Sequence, residues 1–74
     1  MEDTAHEGWT RYHITSSSRG WRFFREGAKR AIKKDRDRNA VIKEALYYMA
    51  DNGGLLIVHK RDATVDFIVD NWVG

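Results

Sequence analysis

The thirteen Lys and Arg residues of this 74-residue chain are unevenly spread. Nine of them fall between Arg19 and Arg38 against only Glu26, Asp35 and Asp37, so that segment carries +6, while residues 1–18 and 39–74 each carry −2. Cations gathered on a surface neutralise phosphates and release their counterions, which gives sequence-independent, salt-sensitive affinity for nucleic acid. The candidate contact residues are Arg22, Lys29, Arg30, Lys33, Lys34, Arg36 and Arg38. The competing reading is a solvated face that keeps a small domain soluble, with Asp35 and Asp37 compensating locally.

Aromatic residues interleave with the first half of the block. Trp21, Phe23 and Phe24 alternate with Arg22 and Arg25, a mixture that can stack unpaired bases and add cation–π contacts. Trp21 and Phe23 are expected in the core, because a domain this small needs every large apolar group it has. Phe24, on the opposite face of the same segment, is the aromatic expected to make a contact.

Other chemistry has less support. His13 and His59 sit in segments that read as strands and can be neighbours, with Asp62 or Asp66 near His59; the spacing does not demand a metal site, and structural or surface roles are favoured. Ser16-Ser17-Ser18 reads as a turn, without the pattern of a nucleophile elbow. Gly53-Gly54 lacks the Lys and Ser or Thr of a phosphate loop. No catalytic residue, metal or cofactor is assigned, and the chain is expected not to be an enzyme.

Size and composition set further bounds. The chain is one domain at most, and at this length it buries only roughly 60% of its unfolded surface. There is no Cys, so disulfides and thiolate chemistry are excluded. The acidic, polar start lacks the basic and apolar regions of a signal peptide, and the longest aliphatic run is Leu55-Leu56-Ile57-Val58. The expectation is a cytoplasmic protein with no membrane contact and no small-molecule substrate. Residues 1–9 read as a flexible lead-in and residues 10–74 as the folded domain.

The elements that must position these residues follow from periodicity. Tyr12 and Ile14 alternate with Arg11 and His13, the period-two signature of a half-buried strand. Thr15 to Gly20 is a polar turn, and Trp21 to Arg25 a second strand pairing with the first. After the Glu26-Gly27 turn, Ala28 to Lys33 reads as a third strand in preference to the approach to a helix. Asp37 is the N-cap of a helix over about Arg38 to Asp51, with Val41, Ile42, Ala45, Leu46 and Met49 on its apolar stripe and Gly53 as its stop. Leu55 to Lys60 and Val65 to Asp70 make a second hairpin, with Asn71 to Gly74 continuing it as strand or tail. The predicted fold is α+β, in the order β-β-β-α-β-β, with one helix on one face of a small antiparallel sheet.

Tyr12-His13-Ile14, Gly20-Trp21, Glu26-Gly27-Ala28 with Arg30-Ala31, the helix from Asn39 to Ala50, and Val58-His59-Lys60-Arg61-Asp62 occur in that order. In this the chain resembles the small prokaryotic domain family of unknown function numbered 2188, over roughly residues 10–68. Two departures stand out: Ala63 replaces the family's Gly after Arg-Asp, and Ile32 to Arg36 is unusually basic. The resemblance implies a small intracellular domain of bacterial, archaeal or phage origin without recognised catalytic residues.

Taken together, these features predict a small binding module acting through its basic surface, with nucleic acid as the first partner class. The alternative partner is an acidic protein surface, including that of a second copy, whose hairpin bearing Asp62, Asp66 and Asp70 would meet the basic block of the first.

Overall fold

A computed structural model describes residues 8–71. The alternation at Tyr12 and Ile14 produces β1, Arg11–Ser17, and the Gly20–Arg25 segment forms β2 antiparallel to it. The strand continues through Ser16 and Ser17, so the turn is only Ser18 and Arg19. Gly20 closes it with φ 138, and a Cβ there would lie 2.5 Å from the Asp35 carbonyl oxygen and 2.7 Å from the Arg36 Cα. Only glycine lets the first hairpin and the β3 end approach this closely.

The third strand is shorter and later than the sequence predicts. Residues 28–32 form an irregular, bent loop, and β3 spans only Lys33–Asp35, pairing antiparallel with β2. Two contacts consume the intervening residues. The Ala28 amide donates to the Arg25 carbonyl at 2.9 Å, and the Arg22 guanidinium donates to the Lys29 carbonyl at 3.2 Å. The chain rejoins β2 only when the Ile32 amide reaches the Phe23 carbonyl.

Helix α1, Arg38–Asn52, begins where its cap predicts. Asp37 has extended backbone, and its carboxylate accepts from the Asn39 amide at 3.0 Å, satisfying a donor that the first turn leaves without a helical partner. At the other end the Gly53 amide donates to the Met49 carbonyl at 2.7 Å. Val41, Ala45 and Met49 face the sheet and are buried; Ile42 and Tyr48 flank them, and Leu46 lies toward solvent.

The second hairpin consists of β4, Gly54–His59, and β5, Val65–Asn71. Here the sheet departs from the antiparallel expectation. The helix carries the chain back across the sheet, so β4 pairs parallel with β1, and the order is β3-β2-β1-β4-β5. A parallel pair requires such a crossover, which a tight turn cannot supply.

On the helical side of the sheet lie Tyr12, Ile14, Trp21, Phe23, Leu56 and Val58, all buried against Val41, Ala45 and Met49. Tyr12, Phe23 and Tyr48 form a cluster with centroids 5.5–5.6 Å apart, both Tyr48 contacts being edge-on. Burial, reinforced by the neighbouring Tyr48 hydroxyl, raises the Tyr12 hydroxyl above its ordinary pKa, keeping it protonated.

The helix lies closer to β2 and β3 than to β4 and leaves β5 largely uncovered. Phe67, which the alternation marks as inward-facing, is therefore 40% exposed; Val65, which a β-bulge pairs with His59 of the helix-free face, is 52% exposed, and Ile68 on that face is 54% exposed. Only Val69 of this strand packs against the core. The two sheet edges differ accordingly: β3 is three charged residues, whereas β5 is seven residues with apolar side chains on both faces.

The two turn glycines separate conformational strain from steric conflict. Gly27 has φ 84 with open space around a built Cβ. Gly27→Ala should cost only the positive-φ penalty of about 1–2 kcal/mol. Gly20→Ala adds a clash with backbone to that penalty and should lower the chemical-denaturation midpoint distinctly more. Equal losses for the two variants would refute the close approach.

Candidate nucleic-acid interface

Strand alternation divides the basic block between the two faces of the sheet. Arg22 pairs with Lys34 across β2 and β3, and both face away from the helix; Lys33 pairs with Phe23 and faces the helical side. The outward pair opens into a cleft of about 560 Å³ lined by Ser17, Ser18, Arg19, Arg22, Lys29, Arg30, Ala31 and Lys34. Its lining holds five cationic side chains and no carboxylate.

Arg22 organises this cleft. Its guanidinium lies 4.6 Å from the centroid of the Phe24 ring and donates to the Lys29 carbonyl, fixing the loop that presents Lys29 and Arg30. Its Nε–H is buried and finds no partner among the described residues. Phe24 continues onto the helix-free face, half-buried, where it stacks on the His13 ring at 5.6 Å and 23°.

Three of the cations expected at this surface lie elsewhere. Lys33 borders a groove on the helical side with Phe23, Ile32, Glu44, Tyr47, Tyr48 and Asp51. Arg36 is exposed between β3 and the helix, outside the cleft lining. Arg38 reaches across to β5, where Nη2 donates to an Asp66 carboxylate oxygen at 2.5 Å and the guanidinium stands 5.4 Å from the Trp21 ring and 5.8 Å from Phe67. A cation in the first helical turn opposes the helix dipole unless an anion is nearby. Here Asp66 of the same chain is that anion. The β-bulge opposite Val58 and His59 sits at this point of β5.

Arg19 belongs to the cleft although the sequence reading did not select it. It is carried there by the two-residue turn, and the signal for so tight a turn was Gly20.

The histidines do meet, but with a different carboxylate from the two expected. His13 Nδ1 lies 2.9 Å from His59 Nε2, His13 Nε2 lies 3.0 Å from Glu26 Oε1, and His59 Nδ1 lies 3.0 Å from the Ala63 carbonyl oxygen. Asp66 is committed to Arg38 on the other side of the sheet. Asp62 accepts from the Thr64 amide at 3.1 Å and from its hydroxyl at 2.6 Å, and these bonds hold its carboxyl below the ordinary pKa. Among the described residues no group of three or more His, Cys, Asp or Glu is arranged to hold a metal ion.

The Tyr-His, Glu-Gly-Ala and His-x-Arg-Asp segments thus converge at one place, through His13, Glu26 and His59. A family model described as an uncharacterized protein conserved in bacteria, DUF2188, matches residues 12–67. The chain belongs to that family. No curated protein and no solved structure matches the chain. The DUF2188 match runs from the second residue of β1 to the third of β5, so it takes in the cleft and the histidine chain together. No helix among the described residues is long and apolar enough to cross a membrane.

The β4–β5 turn offers a direct test of the histidine geometry. Ala63, whose carbonyl receives His59, has φ 75, a conformation that costs a non-glycine residue about 1–2 kcal/mol. Ala63→Gly removes that cost, but only part of it is recovered as stability, because glycine loses more backbone entropy on folding. Ala63→Gly should raise the unfolding free energy by a few tenths to about 1 kcal/mol, measured by urea denaturation. A loss of stability would show that the turn does not hold the conformation described.

Proposed function

We propose that this protein is a small non-enzymatic binding module that holds single-stranded nucleic acid along the outer side of β2 and β3. The observation that carries this reading is the cleft itself, with Arg19, Arg22, Lys29, Arg30 and Lys34 around one concavity and no carboxylate in its lining. Five like charges there repel one another, and a polyphosphate backbone relieves that repulsion while releasing its counterions.

Phe24 supports a single strand over a duplex. It lies on the helix-free face beside the cleft, where an unpaired base can take the place of His13 or Arg22 against its ring, and base–aromatic stacking tolerates any sequence. Arg22 backs this ring and borders the cleft, so phosphate and base contacts share one support.

The alternative, an acidic protein surface or a second copy, draws less from the geometry. Two carboxylates of the acidic hairpin have partners within the chain, Asp66 with Arg38 and Asp62 with Thr64. A second copy would have to compete with those bonds.

Fluorescence anisotropy with mixed-sequence single-stranded DNA and RNA tests the reading. If all five cations contact phosphates, the logarithm of affinity falls with that of salt with a slope of about −3.5. Lys34→Glu should weaken binding by roughly tenfold or more and flatten that slope. Lys33→Glu, on the other side of the sheet, should change binding little. Absence of binding at low salt, or equal losses from the two variants, would refute the assignment to the cleft.

A further inference from the structure

The contacts joining Glu26, His13, His59 and the Ala63 carbonyl form an unbroken row of three hydrogen bonds in which every ring nitrogen is used. Each bond needs one proton. A peptide carbonyl can only accept, and so can an ionised carboxylate. The protons must therefore come from the two imidazoles. Two neutral imidazoles carry two N–H protons, one fewer than the row requires.

We infer that His13 and His59 together hold one proton beyond those of two neutral rings, and that this proton is a switch fastening Glu26 to the sheet. The ends dictate the arrangement. Ala63 requires His59 Nδ1 to be protonated, and Glu26 requires His13 Nε2 to be protonated. The extra proton lies in the middle, shared across the 2.9 Å gap between the rings. The pair then carries one positive charge and Glu26 one negative charge, so the closed row is neutral.

When that proton leaves to solvent, one of the three gaps must set acceptor against acceptor. The Ala63 carbonyl is fixed in the backbone, and both rings are partly buried. The Glu26 side chain is 52% exposed and can turn to water. Glu26 is therefore the contact that opens. His59 continues to donate to Ala63, and His13 continues to donate to His59.

The other groups around the rings do not supply the missing proton or replace the carboxylate. His13 stacks on Phe24 from β2, with Arg22 beyond that ring. His13 pairs in register with Ile57 of β4, which pairs with Ile68 of β5; both are apolar. From the β4–β5 turn, Asp62 is bonded to Thr64, and the Arg61 carbonyl accepts from the Ser16 hydroxyl. Asp66 lies with Arg38.

Opening affects the adjoining loop. Glu26 begins the turn leading into residues 28–32, whose amides at Ala28 and Ile32 bond back to β2. Closed, the row gives this loop a side-chain tether to β1 and β4; open, its backbone bonds and the Arg22–Lys29 hydrogen bond remain. This inference stands whether or not the cleft binds nucleic acid.

Glu26→Gln tests the proton count directly. A glutamine amide can donate to His13 Nε2 and so supply the third proton itself, completing the row with both imidazoles neutral. Imidazole nitrogen and backbone amide NMR can be followed across the histidine titration, with His6→Gln as background to remove the third imidazole. The unmodified pair should take up its first proton as one coupled unit, with His59 Nδ1 protonated throughout. On losing that proton, exchange at the Ala28 and Ile32 amides should rise about tenfold beyond intrinsic base catalysis, as expected for losing one charge-assisted hydrogen bond. In Glu26→Gln those amides should stay protected across the same pH range. In Glu26→Ala they should exchange fast throughout. Independent protonation of the two rings, or the same pH response with Glu26 and with Gln at that position, would overturn the inference.

Discussion

Strand β1 bonds antiparallel to β2 on one side and parallel to β4 on the other, and both hairpins depend on that double pairing. An isolated two-stranded hairpin is at best marginal in water. With β1 between them, Ile14 pairs with Phe23 on one flank and with Val58 on the other, and all three are fully buried under the helix. The same pairing sets the opposite face. His13 comes beside Phe24 of one hairpin and within reach of His59 of the other only because β1 touches both.

Arg38 and Asn71 complete the joining of helix and sheet from their ends. Arg38 ties the first helical turn to Asp66 and lies near the Trp21 and Phe67 rings, while the Asn71 side chain donates to the Met49 carbonyl at 2.6 Å. Arg38 is thereby diverted from the basic surface. A cation can serve the fold or an external anion, and the fold here uses the one nearest the uncovered strand.

Local signals in the sequence located most of the elements. Period-two alternation at Tyr12 and Ile14, the cap at Asp37 and the stripe of Val41, Ala45 and Met49 each report a contact within a few residues, and those parts are as expected. The third strand was not legible, because Ala28 to Lys33 alternates as a strand does while Arg22 and Arg25 draw its first residues into a turn. The parallel pairing depends on where the helix returns the chain, which no short window records. The alternation in β5 marked a strand but could not say that the helix stops short of it. At the site, the charge sum was visible, yet only the register of β3 separates Lys34 from Lys33. His13 and His59 lie 46 residues apart and Glu26 another 13 from His13, so their meeting follows from register alone.

The unequal edges of the sheet also limit how it can be extended. An open edge offers backbone donors and acceptors to another strand, and a short charged edge offers a poor template. Strand β5, with Phe67 and Ile68 on opposite faces, is the better template, and β3 has only Lys33, Lys34 and Asp35. Two copies joined along β5 would present only β3 at either flank. A short charged strand at both flanks would give a further copy little to pair with.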